Sequence, residues 1–290
     1  MLKNPFLLLF VKSLCLRTSS QRVHFWSIVT IFVGLGFFVG IWNFLLADLS
    51  NALQLSPLFL GIALACFSSA GIVLLAFGSL LADRLARRHI LLVGIGGAGL
   101  LFLALIFVSH YWMLLVVLLC GGACMSCYDL AVNTLGGDYE RFYVSKEMTN
   151  FHAGFNGGAA LGVIVSALML VNGSQFRTIY MLAGVLFLTL MLMACFLPFP
   201  SSEPSITTRE ERSEPALSPS SPLLTSLVLS AILLVSFSFF TDGTLDGYTS
   251  VYLRNLLGSG VLLGGLAMAA FQLVGLVGRL ASTALLRRYG

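Results

Sequence analysis

Residues 26–46 read WSIVTIFVGLGFFVGIWNFLL, an apolar run without a charged side chain. About 20 mostly apolar residues are enough for an α-helix to cross the hydrocarbon core of a bilayer. Seven runs of similar length and character follow, at 57–77, 89–108, 112–132, 150–171, 178–197, 223–241 and 261–281. These runs are long and do not alternate polar with apolar residues, which disfavours transmembrane strands. The sequence therefore predicts an all-α polytopic membrane protein with eight spanning helices.

The overall composition agrees with this prediction. Of the 290 residues, 58% are hydrophobic and 10% are charged, and the mean hydropathy is +0.97. A soluble domain is nearer to about 45–50% apolar and about 25% charged. The excess apolar surface needs the lipid bilayer as its partner, so we expect the chain in a cell membrane.

The cysteines show no pattern of a disulfide framework. They are Cys15, Cys66, Cys120, Cys124, Cys127 and Cys195. Cys120, Cys124 and Cys127 share one helix face, but no histidine lies beside them, so apolar packing explains them better than zinc ligation. The sequence also contains no nucleophile motif and no phosphate-binding loop. It predicts neither a metal, nor a cofactor, nor an enzymatic activity.

The distribution of basic residues predicts the orientation. With the N-terminus in the cytoplasm, the outer segments contain only Arg177 and Arg254 of the 16 lysines and arginines. The positive-inside rule describes such an excess on the inner side. We therefore expect both termini in the cytoplasm. The net charge of +4 follows from this topology and does not indicate nucleic-acid binding.

The chain divides into four parts. Residues 1–23 form a cytoplasmic arm, 24–198 a six-helix bundle, 199–222 a linker, and 223–290 the first two helices of a second bundle. The linker is rich in Ser, Pro, Glu and Arg and has too few apolar residues to pack, so we expect it to be disordered in the cytoplasm. A linker after the sixth helix is typical of transporters built from two six-helix halves.

The loop between the second and third helices carries the most informative motif, GSLLADRLARR at 78–88. It resembles the cytoplasmic loop signature of the major facilitator superfamily, G-x-L-a-D-r-x-G-r-[KR], with Ala86 where a glycine is usual. The matching residues are Gly78, Asp83, Arg84, Arg87 and Arg88. The glycine permits close approach of another helix, the aspartate can pair with an arginine, and the arginines hold the loop at the cytoplasmic surface. The resemblance implies the major facilitator fold, with a complete N-terminal half of six helices.

A partial second copy of this motif stands at 278–290, with Ser282 or Thr283 at the acidic position. In the family, four further helices follow such a copy. The resemblance therefore implies that the chain stops after helix eight, and we expect helices seven and eight to have no partners within it. One hypothesis that follows is a truncated membrane protein that does not transport.

Residues 128–133 and 151–158, with Glu140 and the segment 242–253, resemble the fucose-permease-like branch, which includes uncharacterised bacterial inner-membrane members. The resemblance covers about residues 22–290. It implies a secondary active transporter that moves a small, sugar-like solute by alternating access between two helix bundles. Proton symport is one mechanism of that branch, which makes protons a candidate partner. The sequence does not indicate an oligomeric state.

Asp129 and Asn133 are the first candidates for a solute or proton site. They are four residues apart and share one helix face. An acidic residue at membrane depth is costly and usually faces a cavity. The resemblance implies that Asp129 carries protons or contacts sugar, although pairing with Arg141 or capping of a helix would also explain it. Asn43 stands where sugar symporters of this branch have a second acidic residue, which weakens a copied proton mechanism.

The remaining candidates lie in helices five and seven. His152 and Asn156 share a face of helix five. His152 is a candidate solute contact or proton relay, but a hydrogen bond at the cytoplasmic end of helix five would also explain it. Asp242 and Asp246 suit either an outer vestibule or the solvated outer end of helix seven. Glycines spaced by four on helix one and on helix five predict that each of these helices packs closely against another helix. They are Gly36 and Gly40 on helix one, and Gly154, Gly158 and Gly162 on helix five.

Overall fold

The computed structural model describes residues 19–76, 85–199 and 222–289. The helices are α1 (Ser19–Ala52), α2 (Pro57–Ala76), α3 (Arg87–Leu105), α4 (Tyr111–Tyr143), α5 (Met148–Val171), α6 (Phe176–Ala194), α7 (Pro222–Val251), a π-helical turn (Tyr252–Leu256) and α8 (Val261–Tyr289). Within these ranges, eight helices are long and apolar enough to cross a membrane, and no strand is present. The all-helical polytopic fold predicted from the apolar runs is therefore confirmed.

The bundle has two distinct ends, because successive spanning helices alternate in direction. The α1–α2, α3–α4, α5–α6 and α7–α8 turns lie at one end, here called the turn end. There the Tyr111 hydroxyl donates to the carbonyl oxygen of Phe59 at 2.9 Å and ties α4 to α2. The opposite end, here called the linker end, holds the start of α1 and the other connections. A hydrogen bond of 2.8 Å between His24 Nδ1 and Tyr143 Oη joins α1 to α4 at that end.

Helices α4 and α7 both continue well past their predicted ends. The predictions ended these helices where polar residues begin. In the structure, the polar side chains find partners inside the bundle: Arg87 pairs with Asp138, and Asp246 accepts a hydrogen bond from Gln272. The helices continue because neighbouring helices satisfy the polar groups that water would otherwise have to satisfy.

Close contact between α1 and α5 is possible only because glycines occupy the contact positions. A Cβ atom on Gly36 would lie 1.9 Å from the carbonyl oxygen of Phe155, and one on Gly158 would lie 2.1 Å from that of Val33. Gly154 differs, since a Cβ there would meet Val33 Cγ2 at 3.5 Å, an ordinary contact. The predicted glycine-mediated contact is confirmed, but Gly154 is not one of the residues that impose it.

Aromatic side chains form the core between α1, α3 and α6. Phe38, Phe102 and Phe187 are all buried, and their ring centroids are 4.7–5.9 Å apart. Such distances are typical of favourable aromatic pairs. Helix α3 packs against both α4 and α6, and α2 packs against α4.

Helices α7 and α8 are not isolated, so the expectation that they have no partners in the chain was wrong. Helix α8 packs along α5, and α7 packs against α1. Small residues permit this approach: a Cβ on Gly265 would lie 2.7 Å from the Cβ of Ala167, and one on Gly275 would lie 2.0 Å from Asn156 Nδ2. Helix α5 therefore lies between α1 and α8.

Part of the predicted organisation lies outside the described residues. Gly78, Asp83 and Arg84 of the loop motif belong to this part, as do most of the arm at 1–23 and nearly all of the linker at 199–222. The roles assigned to these segments stay predictions.

Candidate functional site

A chain of polar groups joins α5, α7 and α8 inside the bundle. Gln272 of α8 donates from Nε2 to Asp246 Oδ1 of α7 at 2.7 Å. Asn156 of α5 donates from Nδ2 to the backbone carbonyl oxygen of Gln272 at 3.4 Å. Asn156 and Gln272 are only 7% and 5% exposed. We call these three residues the polar seam.

The polar seam lies near the middle of the spanning helices. Asp246 precedes the end of the π-helical turn at Leu256 by about 15 Å, at about 1.5 Å per residue. Gln272 follows the start of α8 at Val261 by about 16 Å on the same basis. Since the hydrocarbon core is about 30 Å thick, both side chains lie at a depth where lipid supplies no hydrogen-bond partner.

This placement contradicts one of the two interpretations of the helix-seven acids and leaves the other, an outer vestibule, as a prediction. Neither Asp242 nor Asp246 lies at the end of α7, because the helix continues to Val251. The interpretation of a solvated outer end was therefore wrong. Asp246 is half-buried and bonded to α8, whereas Asp242 is exposed one helical turn closer to the linker end.

A second group of titratable side chains lies on the linker side of the seam. Arg279 of α8 is half-buried and lies within electrostatic range of both Asp242 of α7 and His152 of α5. His152 also packs edge-on against the Phe32 ring, with centroids 5.2 Å apart. We call His152, Asp242 and Arg279 the charged layer. Its residues belong to the same three helices as those of the polar seam.

Sequence reasoning missed Gln272 and Arg279. Arg279 was assigned to the cytoplasmic segment by the distribution of basic residues, and Gln272 is a lone amide in an apolar run. A signal was nevertheless present, because the two residues are seven apart and therefore lie on one face of α8. Their partners on α5 and α7 are too far along the chain for spacing to reveal them.

Asp129 and Asn133 form a local pair on α4 and do not join the seam. Asn133 Nδ2 donates to Asp129 Oδ1 at 3.0 Å and to the Asp129 carbonyl oxygen at 2.9 Å. The Asp129 side chain is exposed, and α4 packs chiefly against α2 and α3. Asn43 is buried in α1, at 8% exposure. The structure therefore brings together only the candidates on helices five and seven.

The last two arginines of the loop motif contact other helices at the linker end. Arg87 forms an ion pair with the buried Asp138 of α4. Arg88 donates to the carbonyl oxygens of Cys195 and Leu197, at 3.0 and 2.6 Å, and its guanidinium lies 5.7 Å from the centre of the Phe199 ring. These contacts tie the start of α3 to α4 and to the end of α6.

The cysteine-rich face of α4 packs against a neighbouring helix. A Cβ on Gly97 of α3 would lie 2.3 Å from the Cβ of Cys124, and Cys127 is buried. In the part of the chain that the structure describes, no group of three or more His, Cys, Asp or Glu side chains could hold a metal ion.

Two curated bacterial proteins are similar to the chain. An uncharacterized MFS-type transporter of Bacillus subtilis (strain 168), YqjV, is 26% identical over 133 residues, which cover 46% of this chain and 32% of that protein. A gallate transporter of Pseudomonas putida is 31% identical over 180 residues, which cover 60% of this chain and 39% of that protein. The matches thus span only about a third of the length of these relatives.

A family profile covers more of the chain. Residues 26–290 match the Major Facilitator Superfamily, from the first spanning helix through α8. The eight apolar helices and the packing of α7 and α8 against α1 and α5 agree with this match. The chain belongs to the Major Facilitator Superfamily.

Proposed function

We propose that the chain is a secondary active transporter of a small organic solute, and that the polar seam and the charged layer form its solute and coupling site. Transport proceeds by alternating access between the six-helix bundle at 24–198 and the helices at 223–290, which the linker at 199–222 connects. The observation that carries the proposal is the hydrogen-bonded contact of Asp246 with Gln272 at mid-membrane depth.

Stability does not explain this contact. A hydrogen bond between membrane helices contributes about 0.6 kcal/mol on average. Placing an aspartate near the centre of a spanning helix costs about 2.5–3.5 kcal/mol on insertion scales. The bond offsets only a fraction of that cost, so an apolar residue at position 246 would give a more stable bundle. Intramembrane acids of this kind mark solute, ion and proton pathways.

The seam suits a solute that carries several hydroxyl groups. Amides donate and accept hydrogen bonds, and a carboxylate accepts them, so Asn156, Gln272 and Asp246 can together bind adjacent hydroxyls. Sugars resembling fucose have several hydroxyl groups. Gallate, after which one of the relatives is named, has them too. Arg279 supplies the cation that a carboxylate on the solute would meet. Asp246 supplies a group that can bind and release a proton during the cycle.

The orientation is part of the proposal. The turn end faces outward and the linker end faces the cytoplasm of a bacterium, with the protein in the inner membrane. The inner position of the basic residues supports this assignment. Reporter fusions after Gly290 and within 199–222 should both give cytoplasmic signals, and an outside signal from either would overturn the orientation.

The test of function is uptake by the purified chain in proteoliposomes with an imposed proton gradient. L-fucose and gallate are the labelled probes. We expect saturable, gradient-driven accumulation of one of them, and its loss in Asp246→Asn. The matched control is Thr241→Val on the same helix, whose hydroxyl donates to the Phe237 carbonyl oxygen of its own helix. Full uptake by Asp246→Asn, or no accumulation of either probe by the unaltered chain, would contradict the proposal.

A further inference from the structure

A surface groove opens at the linker end, between the start of α1 and the segment that follows α6. Its volume is about 430 Å³, within the range of about 300–1,000 Å³ that is usual for ligand sites. One wall is a face of α1 that runs from Arg22 to Thr30, and the other is formed by Leu197 and Pro198. The groove shares no residue with the polar seam or the charged layer, so the proposed solute site does not account for it.

The position of the groove along α1 places it at the boundary between lipid headgroups and hydrocarbon. The apolar run of this helix begins at Trp26, and Arg22 precedes it by about 6 Å, at about 1.5 Å per residue. Trp26 is 45% exposed, and tryptophan is enriched at membrane interfaces. Thr30 lies one helical turn deeper. The groove therefore extends over the depth at which a phospholipid has its phosphate and glycerol groups.

The deeper part of the groove suits an apolar ligand segment. Ser27 donates from Oγ to the Val23 carbonyl oxygen at 3.0 Å, and Thr30 donates from Oγ1 to that of Trp26 at 2.8 Å. Both hydroxyl protons are thus bound by the helix itself. Pro198 has no N–H group to donate. A hydrocarbon chain can therefore lie along this wall without leaving a hydrogen-bond donor of these residues unpaired.

The shallow part of the groove is positively charged. Arg22 lines it, and Arg88 lies beside the opposite wall, where it donates to the Leu197 carbonyl oxygen at 2.6 Å. None of the described residues that line the groove is acidic. A guanidinium has five N–H donors, so it can bind phosphate oxygens in addition to another partner. Basic pockets between membrane helices on the cytoplasmic side bind anionic lipid headgroups, and the linker end is cytoplasmic in the proposed orientation.

We propose that this groove binds one anionic phospholipid of the surrounding leaflet, such as phosphatidylglycerol. Arg22 binds the phosphate, and Trp26 and Thr30 contact the glycerol group and the first carbons of an acyl chain. The rest of the lipid stays in the bilayer. Phosphatidylcholine is disfavoured, because its choline group is a cation that Arg22 and Arg88 repel. The lipid site is separate from the solute site and does not depend on the identity of the solute.

Trp26 lies in the groove, so its fluorescence reports which lipid occupies the site. Of the three tryptophans in the chain, Trp42 is buried at 4% exposure and Trp112 lies at the turn end. Trp112→Phe therefore leaves Trp26 as the tryptophan that bilayer lipid can reach. This protein is placed in phosphatidylcholine bilayers with increasing fractions of phosphatidylglycerol, and one of the two lipids carries bromine on its acyl chains. Bromine quenches the fluorescence on contact, and the ratio of the two quenching constants measures the preference of the groove.

We expect an about fivefold preference for phosphatidylglycerol. Arg22→Gln should remove most of this preference and leave quenching by brominated phosphatidylcholine unchanged. Lys146→Gln makes the same charge change at an exposed residue of the linker end outside the groove, and it should keep the preference.

Equal quenching by the two lipids, a preference retained in Arg22→Gln, or an equal loss in Lys146→Gln would overturn the proposal. Altered quenching by brominated phosphatidylcholine in Arg22→Gln would also overturn it, because the arginine would then shape the groove instead of binding the lipid. Loss of the preference on addition of millimolar inorganic phosphate would indicate a site for a free anion and would overturn the lipid as its occupant.

Discussion

Replacing Gly158 with alanine tests the closest helix contact in the structure. The new Cβ would lie 2.1 Å from the carbonyl oxygen of Val33, 2.9 Å from its carbonyl carbon and 3.0 Å from the Phe37 nitrogen. All three atoms belong to the backbone of α1, so no side chain can turn away and the helices must separate. Overpacking of this kind costs about 1–3 kcal/mol. The higher helix propensity of alanine offsets only about 0.8–1.0 kcal/mol.

Gly154→Ala is the matched control, one turn earlier on the same face of α5. Its Cβ would make an ordinary 3.5 Å contact with Val33 Cγ2, so the propensity gain remains and no clash opposes it. We expect Gly158→Ala to lower the free energy of unfolding by up to about 2 kcal/mol. We expect Gly154→Ala to leave it unchanged or to raise it by less than about 1 kcal/mol.

The free energy of unfolding of each variant is measured by titration with sodium dodecyl sulfate in mixed micelles, with the helical circular dichroism signal as the readout. The prediction concerns the order of the two variants and does not depend on the absolute stability of the protein. Equal effects of the two substitutions would refute the reasoning, because the spacing of the glycines would then matter and the close approach of the backbones at Gly158 would not.

Three further substitutions test individual contacts. Tyr128→Phe removes the 2.9 Å hydrogen bond from the buried hydroxyl to the Ile31 carbonyl oxygen, and the same titration should show a loss of about 0.5–1.5 kcal/mol. Gly275→Ala would place a Cβ 2.0 Å from Asn156 Nδ2, so the Asn156 amide must turn away from Gln272. We expect uptake to fall, while the free energy of unfolding changes by less than about 1 kcal/mol. The proposal places proton coupling at the seam, so Asp129→Asn should leave uptake and its pH dependence unchanged; loss of pH-driven uptake would assign the proton to Asp129 instead.

The spans were predictable because they depend on local composition. An apolar run such as 26–46 has one stable conformation in a bilayer, an α-helix, because its backbone N–H and C=O groups then form hydrogen bonds within the run. The ends of α4 and α7 were not predictable in this way. Asp138 and Asp246 resemble loop residues until their partners Arg87 and Gln272 are known, and those partners lie on other helices.

The site was only partly predictable for the same reason. Helical spacing correctly placed His152 and Asn156 on one face of α5, but it could not show that this face meets α8. Gly154 and Gly158 illustrate the limit, since they follow one pattern and only Gly158 touches the neighbouring backbone. Distances between helices are set by tertiary packing, which a single sequence does not record.

Proton movement that depends on solute tests the central proposal most directly. A pH-sensitive dye is enclosed in proteoliposomes containing the chain, and L-fucose or gallate is added outside without an imposed gradient. We expect acidification of the interior with one of these solutes, no acidification with Asp246→Asn, and an unaltered response with Thr241→Val. An absent pH change with the unaltered chain, or an equal change with Asp246→Asn, would contradict proton-coupled transport through the polar seam.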